Sequence, residues 1–165
     1  MIKLKRILVE SDLQDVIRTT IKYKNNIPSI KNPDFDIIFD IKDDNTAELT
    51  WINNKTNKYK GRDIFEAFML YLKSKGIKRV EAWGTKGKMH GTTAIGYYVM
   101  LKYGVIPTNI NDINKILNTN YKNIQDAFKD PSFWENWKAN GDDYFGVFDL
   151  SNNSLSWKVF KGQYK

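Results

Sequence analysis

The residues best suited to chemistry in this chain are basic side chains that gather before a helical pattern. Lys58, Lys60 and Arg62 surround Gly61 just ahead of an apolar stripe with helical spacing. The window 55–88 holds ten basic and three acidic residues, so the whole formal excess of +7 lies there. Backbone N–H groups at a helix start attract anions, and a glycine lets the backbone approach them closely. The pattern indicates a phosphate-binding turn, and a solvated lysine-rich face is the alternative interpretation.

The composition narrows the chemistry that the chain can perform. It has no cysteine and a single histidine, His90, which excludes disulfides, cysteine nucleophiles and multi-histidine metal sites. Catalysis would therefore use carboxylates, Tyr, Ser, Thr, Lys or backbone groups, and we predict no metal site. His90 lies in GTKGKMHGTT, which lacks the Walker spacing. It is a candidate general base or anion contact, or a loop residue with no chemical role.

Size and hydrophobicity predict one compact domain spanning 1–165. Hydrophobic residues make up 41% of the 165 residues, which is enough apolar material for a core and excludes wholesale disorder. No apolar run is long enough to cross a bilayer, and the segment MIKLKRILVESD alternates like a strand, unlike a signal peptide. We therefore predict a cytoplasmic protein with no membrane contact.

Hydrophobic periodicity predicts an α/β fold, a mixed sheet flanked by helices in the order β-α-β-β-α-β-α. Proline, glycine and turn residues predict loops at 25–33 and 84–91. A helical insertion is expected over about 108–142, with one helix over 110–128, followed by a C-terminal β-hairpin over 144–160. The other predicted strands span 2–9, 34–42, 46–52 and 77–83, and the other predicted helices span 11–24, 62–75, 92–103 and 131–140.

Residues 1–107 resemble the GNAT (GCN5-related N-acetyltransferase) family in element order. In that family a strand leads into a pyrophosphate-binding turn, Q/R-x-x-G-x-G/A, that opens a helix; here AELTWI precedes KYKGRD and the helix IFEAFMLYLKSKG. Further along, GIKRVEAW and TTAIGYYVMLKYGVIP are similar to the family's next strand, loop and helix. The sequence departs from the family at Lys58, where Gln or Arg is usual, and at Asp63, where the last glycine is usual. Met100 stands at the tyrosine that often protonates the leaving thiolate.

The resemblance implies acetyl-CoA as a substrate-type cofactor and an amine as the acceptor. It implies a general base at Glu48, with Tyr97 or Tyr98 as the general acid. A backbone N–H between Leu49 and Ile52 would stabilise the oxyanion. The implied cofactor-binding residues are Leu49, Trp51, Ile52, Lys58, Tyr59, Lys60, Gly61, Arg62, Asp63 and Thr93.

Each of these residues also has a purely structural interpretation. Glu48 would then face solvent on its strand, Asp63 would be an ordinary first-turn helix residue, and Tyr97 and Tyr98 would pack one helix face. A later aromatic segment either forms an acceptor pocket, stacks on nucleic-acid bases or docks a short helix on the core. Its residues are Phe133, Trp134, Trp137, Tyr144 and Phe145.

Two further function classes fit the sequence. The first is a catalytically silent GNAT-fold protein with a structural or binding role, which predicts a protein partner or a homo-oligomer. The Lys-, Asn- and Ile-rich composition would suit a phage or mobile-element origin, and then a virion-associated location. The second is a module that binds nucleic acid non-specifically through the basic window. This class is less well supported, because the window has few arginines and no interleaved aromatic residues.

Overall fold

The computed structural model describes residues 12–24, 27–89 and 92–164, with side chains described outside 23–27 and 88–95. The chain divides into two compact units between Val80 and Glu81. Both units combine strands with helices, so the predicted α/β class is confirmed. No helix in the described part of the chain is long and apolar enough to span a membrane.

The first unit is built on antiparallel strands. Its elements are α1 (12–20), β1 (Ile21–Lys24), β2 (Ile27–Lys31), β3 (Phe35–Asp43), β4 (Thr46–Asn54), α2 (Gly61–Ser74) and the start of β5 (Arg79–Gly84). The strands lie in the order β1-β2-β3-β4, and each of these neighbouring pairs is antiparallel. The β5 residues of this unit, Arg79 and Val80, come next in the order.

Alternating side chains along β3 build the core of this unit. Phe35, Ile37 and Phe39 are all buried, because successive side chains of a strand point to opposite faces. Helix α2 packs on this face, where the ring of Phe68 meets that of Phe39 edge-on with 4.9 Å between centroids. The hairpin and the helix that follows it are therefore one packed assembly, as their hydrophobic patterns predict.

The turn between β3 and β4 is closed by its own polar groups. Asp43 Oδ1 accepts the N–H of Asn45 at 2.8 Å, and this hydrogen bond lowers the pKa of Asp43. The carbonyl of Asn45 accepts the N–H groups of Lys78 and Arg79 at 2.8 and 3.1 Å. Arg79 Nε also donates to Thr46 Oγ1 at 3.1 Å. The turn that joins the two predicted strands is therefore tied to the beginning of β5.

The second unit begins within β5. Its other elements are β6 (Lys86–Met89), β7 (Thr92–Ile95), α3 (Gly96–Lys102), β8 (Ile106–Pro107), α4 (Ile110–Leu117), α5 (Ile124–Lys129), α6 (Phe133–Asn140), β9 (Tyr144–Asp149) and α7 (Leu155–Phe160). The strands lie in the order β5-β9-β8, and β8 pairs antiparallel with β9. Strands β6 and β7 form a separate antiparallel ribbon.

Aromatic side chains fill the core of the second unit. Phe133 and Trp137 are fully buried on α6, and Trp137 Nε1 donates to the carbonyl of Tyr97 at 3.1 Å. The hydroxyl of Tyr144 donates to the carbonyl of Val105 at 2.9 Å, and burial raises the pKa of Tyr144 well above its usual value. The Trp137 indole and the Tyr144 hydroxyl thus both have a backbone acceptor, which offsets the cost of removing them from water.

Asp130 joins α5 to α6. Its Oδ2 accepts the hydroxyl of Tyr121 at 2.7 Å, and its Oδ1 accepts the N–H and hydroxyl of Ser132 at 2.8 and 2.7 Å. The hydrogen bonds from Tyr121 and Ser132 lower the pKa of Asp130. Burial, together with this carboxylate, raises the pKa of Tyr121 to about 12.

Four predicted loop or helix segments contain strands instead. Residues 21–24, predicted as the end of the first helix, form β1, and residues 27–31 of the predicted loop form β2, which pairs with β1. Residues 86–89 of the predicted loop at 84–91 form β6, and residues 92–95, predicted as the start of the next helix, form β7, so that helix starts at Gly96. Cross-strand pairing overrides the local turn and helix signals in these segments. The strand expected at 2–9 lies outside the described residues.

The predicted C-terminal β-hairpin is wrong in its second half. Residues 155–160, expected to be a strand, form α7. Ser154 caps this helix by accepting the N–H of Trp157, and helical spacing buries both Ser156 and Phe160.

The predicted 110–128 helix also divides, because Asn118 adopts a left-handed φ of 52° after α4. The three helices α4, α5 and α6 lie within the predicted helical insertion.

We expect Asp130→Asn to remove a stabilisation that depends on pH. Because the folded pKa of Asp130 is depressed, its contribution is present above the unfolded pKa of about 3.9 and is lost as the pH falls through the folded value. The difference in unfolding free energy between the wild type and the variant should be full at neutral pH. It should shrink as the pH falls below about 3.9 in urea denaturation experiments. An equal difference in unfolding free energy at neutral and acidic pH would contradict the assignment of this stabilisation to the ionised Asp130.

A second stability prediction concerns Gly104, which follows α3 with a φ of 88°. A Cβ there would collide with the carbonyl oxygen of Ser156, whereas one at Gly76, with a φ of 86°, meets nothing within 4 Å. Both alanine variants incur the left-handed backbone cost of roughly 1–2 kcal/mol. Gly104→Ala should lose at least about 1 kcal/mol more in urea denaturation, because of the overlap. Equal losses would show that the collision is relieved without cost.

Candidate active site

Glu48 lies on β4 in an ion pair. It stands opposite Asp40 in the β3–β4 register, and its Oε2 contacts the Nζ of Lys42. The side chain of Glu48 is 29% exposed, so it neither sits in a dry core nor projects freely into solvent. The carboxylate is therefore paired with an ammonium group of the neighbouring strand.

The β3–β4 ladder is irregular next to Glu48. Leu49 pairs with Phe39 and Trp51 pairs with Ile38, so Thr50 has no partner residue on β3. Such a bulge takes the extra residue out of the regular ladder. The break falls in the middle of the segment predicted to supply the oxyanion donor. Leu49 is buried there, while Trp51 and Ile52 are partly buried.

The β4–α2 loop (residues 55–60) is held by Asp34. Asp34 Oδ2 accepts from Lys58 Nζ at 3.0 Å, and its Oδ1 accepts the hydroxyl of Thr56 at 3.1 Å. The carbonyl of Asp34 accepts the N–H of Lys55 at 2.8 Å. The hydrogen bond to Asp34 raises the pKa of Lys58, and its Nζ also lies 5.0 Å from the ring centre of Tyr59. Lys58 is therefore ion-paired with a carboxylate of the protein itself.

A second set of contacts fixes the same loop. Lys55 Nζ donates to the carbonyl of Asn32 at 2.9 Å and lies 2.8 Å from Asp36 Oδ1. The ring of Tyr59 meets that of Phe35 edge-on at 6.1 Å, and the carbonyl of Tyr59 accepts from Asn54 Nδ2 at 2.9 Å. These contacts connect the loop to both strands of the hairpin.

The loop ends at the N-terminus of α2. Lys60 is the N-cap, and its carbonyl accepts the N–H groups of Asp63 and Ile64 at 2.9 and 3.1 Å. The Lys60 side chain makes no capping hydrogen bond, since an ammonium cannot accept one. Gly61 is the first residue of the helix, and Lys60 is exposed beside it. This end of α2 is suited to attract an anion, whereas the Asp63 carboxylate in the first turn already interacts favourably with the helix dipole.

The tyrosines predicted as acids belong to the second unit. Tyr97 is buried, and its hydroxyl donates to the carbonyl of Lys138 at 2.7 Å. Its ring contacts Trp137 edge-on at 6.1 Å, which matches the packing interpretation. Tyr98 is partly exposed, and Lys102 Nζ lies 4.7 Å from its ring centre. Thr93 lies on β7, where its side chain falls outside the described part.

The aromatic segment is largely core. Phe133, Trp137 and Tyr144 are buried, as the docking interpretation requires. Trp134 Nε1 donates to the carbonyl of Tyr164, and the ring of Phe145 lies 5.4 Å from that of Trp83. His90, the remaining candidate, lies outside the described residues.

Glu48, the segment 49–52 and the turn 58–63 are consecutive parts of one β4–loop–α2 assembly in the first unit. Sequence reasoning missed Asp34, Lys42 and the irregularity at Thr50. The sequence does contain a signal for the pairing of Lys42 with Glu48. Lys42 follows Asp36 and Asp40 in the alternation of β3, and only a short turn separates it from the strand that carries Glu48. Among the described residues, no group of three or more acidic or histidine side chains is arranged to hold a metal ion.

No family model, curated protein or solved structure matches this chain. The similarity to GNAT enzymes therefore depends on the residues and the element order given above.

We expect Asp34→Ala to loosen the β4–α2 loop. It removes the acceptor of Lys58 and Thr56 and should lower the unfolding free energy by about 1–2 kcal/mol in urea denaturation. Asp44→Ala, an exposed change of the same charge in the hairpin turn, is the control and should stay within about 0.5 kcal/mol of the wild type. Equal effects would mean that net charge, not the loop contacts, determines the loss.

Proposed function

We propose that the protein is a GNAT-like N-acyltransferase that moves an acetyl group from acetyl-CoA to an amine. The observation that carries the proposal is the β4–loop–α2 assembly, in which a strand interrupted at Thr50 leads through a braced loop to a helix N-terminus. In this arrangement an anion site and a break in the strand ladder follow each other along one stretch of chain.

The N-terminus of α2 supports binding of the CoA pyrophosphate. The N–H groups of its first turn and the positive end of the helix dipole attract phosphate oxygens. Gly61 has no side chain to block the approach, and Lys60 and Arg62 add positive charge. Lys58, held by Asp34, shapes the loop instead of reaching the ligand.

Glu48 and the bulge support the acyl-transfer step. Thr50 is two positions after Glu48 along β4, a span of about 7 Å. A thioester lying along the strand at Thr50 would have backbone N–H groups near its carbonyl oxygen and a carboxylate base beyond it.

Calorimetric titration with acetyl-CoA tests the proposal, and we expect one-to-one binding. Gly61→Glu places a carboxylate at the phosphate position and should weaken binding at least about tenfold. Ser74→Glu adds the same charge at the opposite end of α2 and should leave the affinity unchanged. Absence of binding to the wild type at millimolar acetyl-CoA would refute the enzyme proposal, and equal weakening by both variants would refute the site.

A catalytically silent GNAT-fold protein is the second candidate. One observation favours it: Lys58 and Glu48 both have internal partners, Asp34 and Lys42, that satisfy their charges without a ligand. This candidate predicts no heat of binding with acetyl-CoA and a stable assembly with a mass well above 19.3 kDa in light scattering. A monomer that binds acetyl-CoA would exclude it.

A further inference from the structure

Lys42 occupies the place that an acceptor amine would take beside Glu48. Its Nζ contacts Glu48 Oε2, and its side chain is 47% exposed. Strand β3 shifts register between Ile41 and Asp43, so the ladder is irregular at Lys42. An irregularity of this kind re-aims a side chain, and here the ammonium group meets a carboxylate of the neighbouring strand.

We propose that Lys42 is an internal acceptor, acetylated in cis from acetyl-CoA with Glu48 as the base. This inference rests on the proposed function and adds to it a modification site on the protein itself. An acceptor amine must lie against the base as an ammonium and lose a proton there before it can attack. Lys42 Nζ meets the first requirement through its direct contact with Glu48.

The position of the thioester makes the transfer geometrically accessible. A CoA bound by its pyrophosphate at the start of α2 would extend its arm back along β4, towards Thr50 and then Glu48. Thr50 is about 7 Å from Glu48 along the strand, a span that a flexible lysine side chain can bridge. Holding both reactants on one hairpin makes the reaction effectively unimolecular.

The transfer is balanced without any further reagent. Glu48 takes one proton from the Lys42 ammonium, and the free amine attacks the carbonyl carbon of the thioester. A C–N bond forms, and the C–S bond breaks as the tetrahedral intermediate collapses. The nitrogen loses its second proton, the thiolate takes up a proton, and Glu48 passes its own proton to solvent. The products are Nε-acetyl-Lys42, CoA and one proton.

Two other lysines of the same hairpin assembly provide internal controls. Lys55 and Lys58 also pair with carboxylates, Asp36 and Asp34, with N–O distances of 2.8 and 3.0 Å. They lie at the loop end of β4, where the pyrophosphate would bind, and not at the Glu48 end. Lys55 is the closer control, because the raised pKa of Lys58 would itself slow chemical acetylation there. Ordinary chemical acetylation by a thioester should label Lys42 no faster than Lys55.

The experiment uses the full-length protein and acetyl-CoA carrying a ¹³C-labelled acetyl group, with site occupancy read by peptide mass spectrometry. We expect label at Lys42 to accumulate at a rate independent of protein concentration and at least about tenfold faster than at Lys55 or Lys58. Glu48→Gln should slow labelling of Lys42 about 100-fold, because it removes the base. Lys42→Arg should abolish that label while acetyl-CoA binding, measured by calorimetry, is retained.

The outcomes separate this inference from the function on which it rests. Acetyl-CoA binding with Lys42 labelled no faster than Lys55 would overturn the inference and leave the proposed function intact. A Lys42 labelling rate unchanged in Glu48→Gln, or proportional to protein concentration, would overturn the base assignment or the reaction in cis. No binding of acetyl-CoA would overturn both proposals together.

Discussion

The pairing of β3 with β4 is the constraint on which the candidate site depends. This register, from Phe35 opposite Asn54 to Asp43 opposite Thr46, sets which side chains meet across the hairpin. It brings the residues before β3 to the loop after β4, and the end of β3 to Glu48. Because side chains alternate between the faces of a strand, a slip of one residue would move every partner to the wrong side. Two irregularities are held inside this ladder, so the longer pairing must stabilise them.

The sequence predicts this assembly well because several signals agree. Phe35, Ile37 and Phe39 recur at every second position, an acidic turn follows, and α2 has a wide apolar stripe ended by a glycine. Residues 155–160 show where such signals conflict. The residues LSWKVF alternate like a strand, yet the Ser154 cap and the burial of Trp157 and Phe160 together favour a helix. Alternation over six residues cannot distinguish a strand from a helix when both structures would bury the large apolar side chains.

The partners of the charged residues could not be predicted in the same way. A count along the chain places an excess of positive charge in the window 55–88, but two of its lysines are neutralised by Asp34 and Asp36, which lie outside the window. These partners are more than 18 residues away in sequence and become neighbours only through the hairpin register. The bulge at Thr50 is likewise a property of the paired strands and has no glycine or proline to mark it. The local charge therefore overstates the field that a phosphate would meet.

Buried aromatic residues in the second unit follow a stricter rule than the charged residues of the first. A phenol or indole taken into a core needs an acceptor, and Tyr97, Trp137 and Tyr144 all donate to backbone carbonyls. A hydroxyl used in this way cannot deliver its proton to a leaving group without breaking a buried contact, which would cost about 1–3 kcal/mol. Tyr98, which follows Tyr97 on α3, is partly exposed and lies outside this rule.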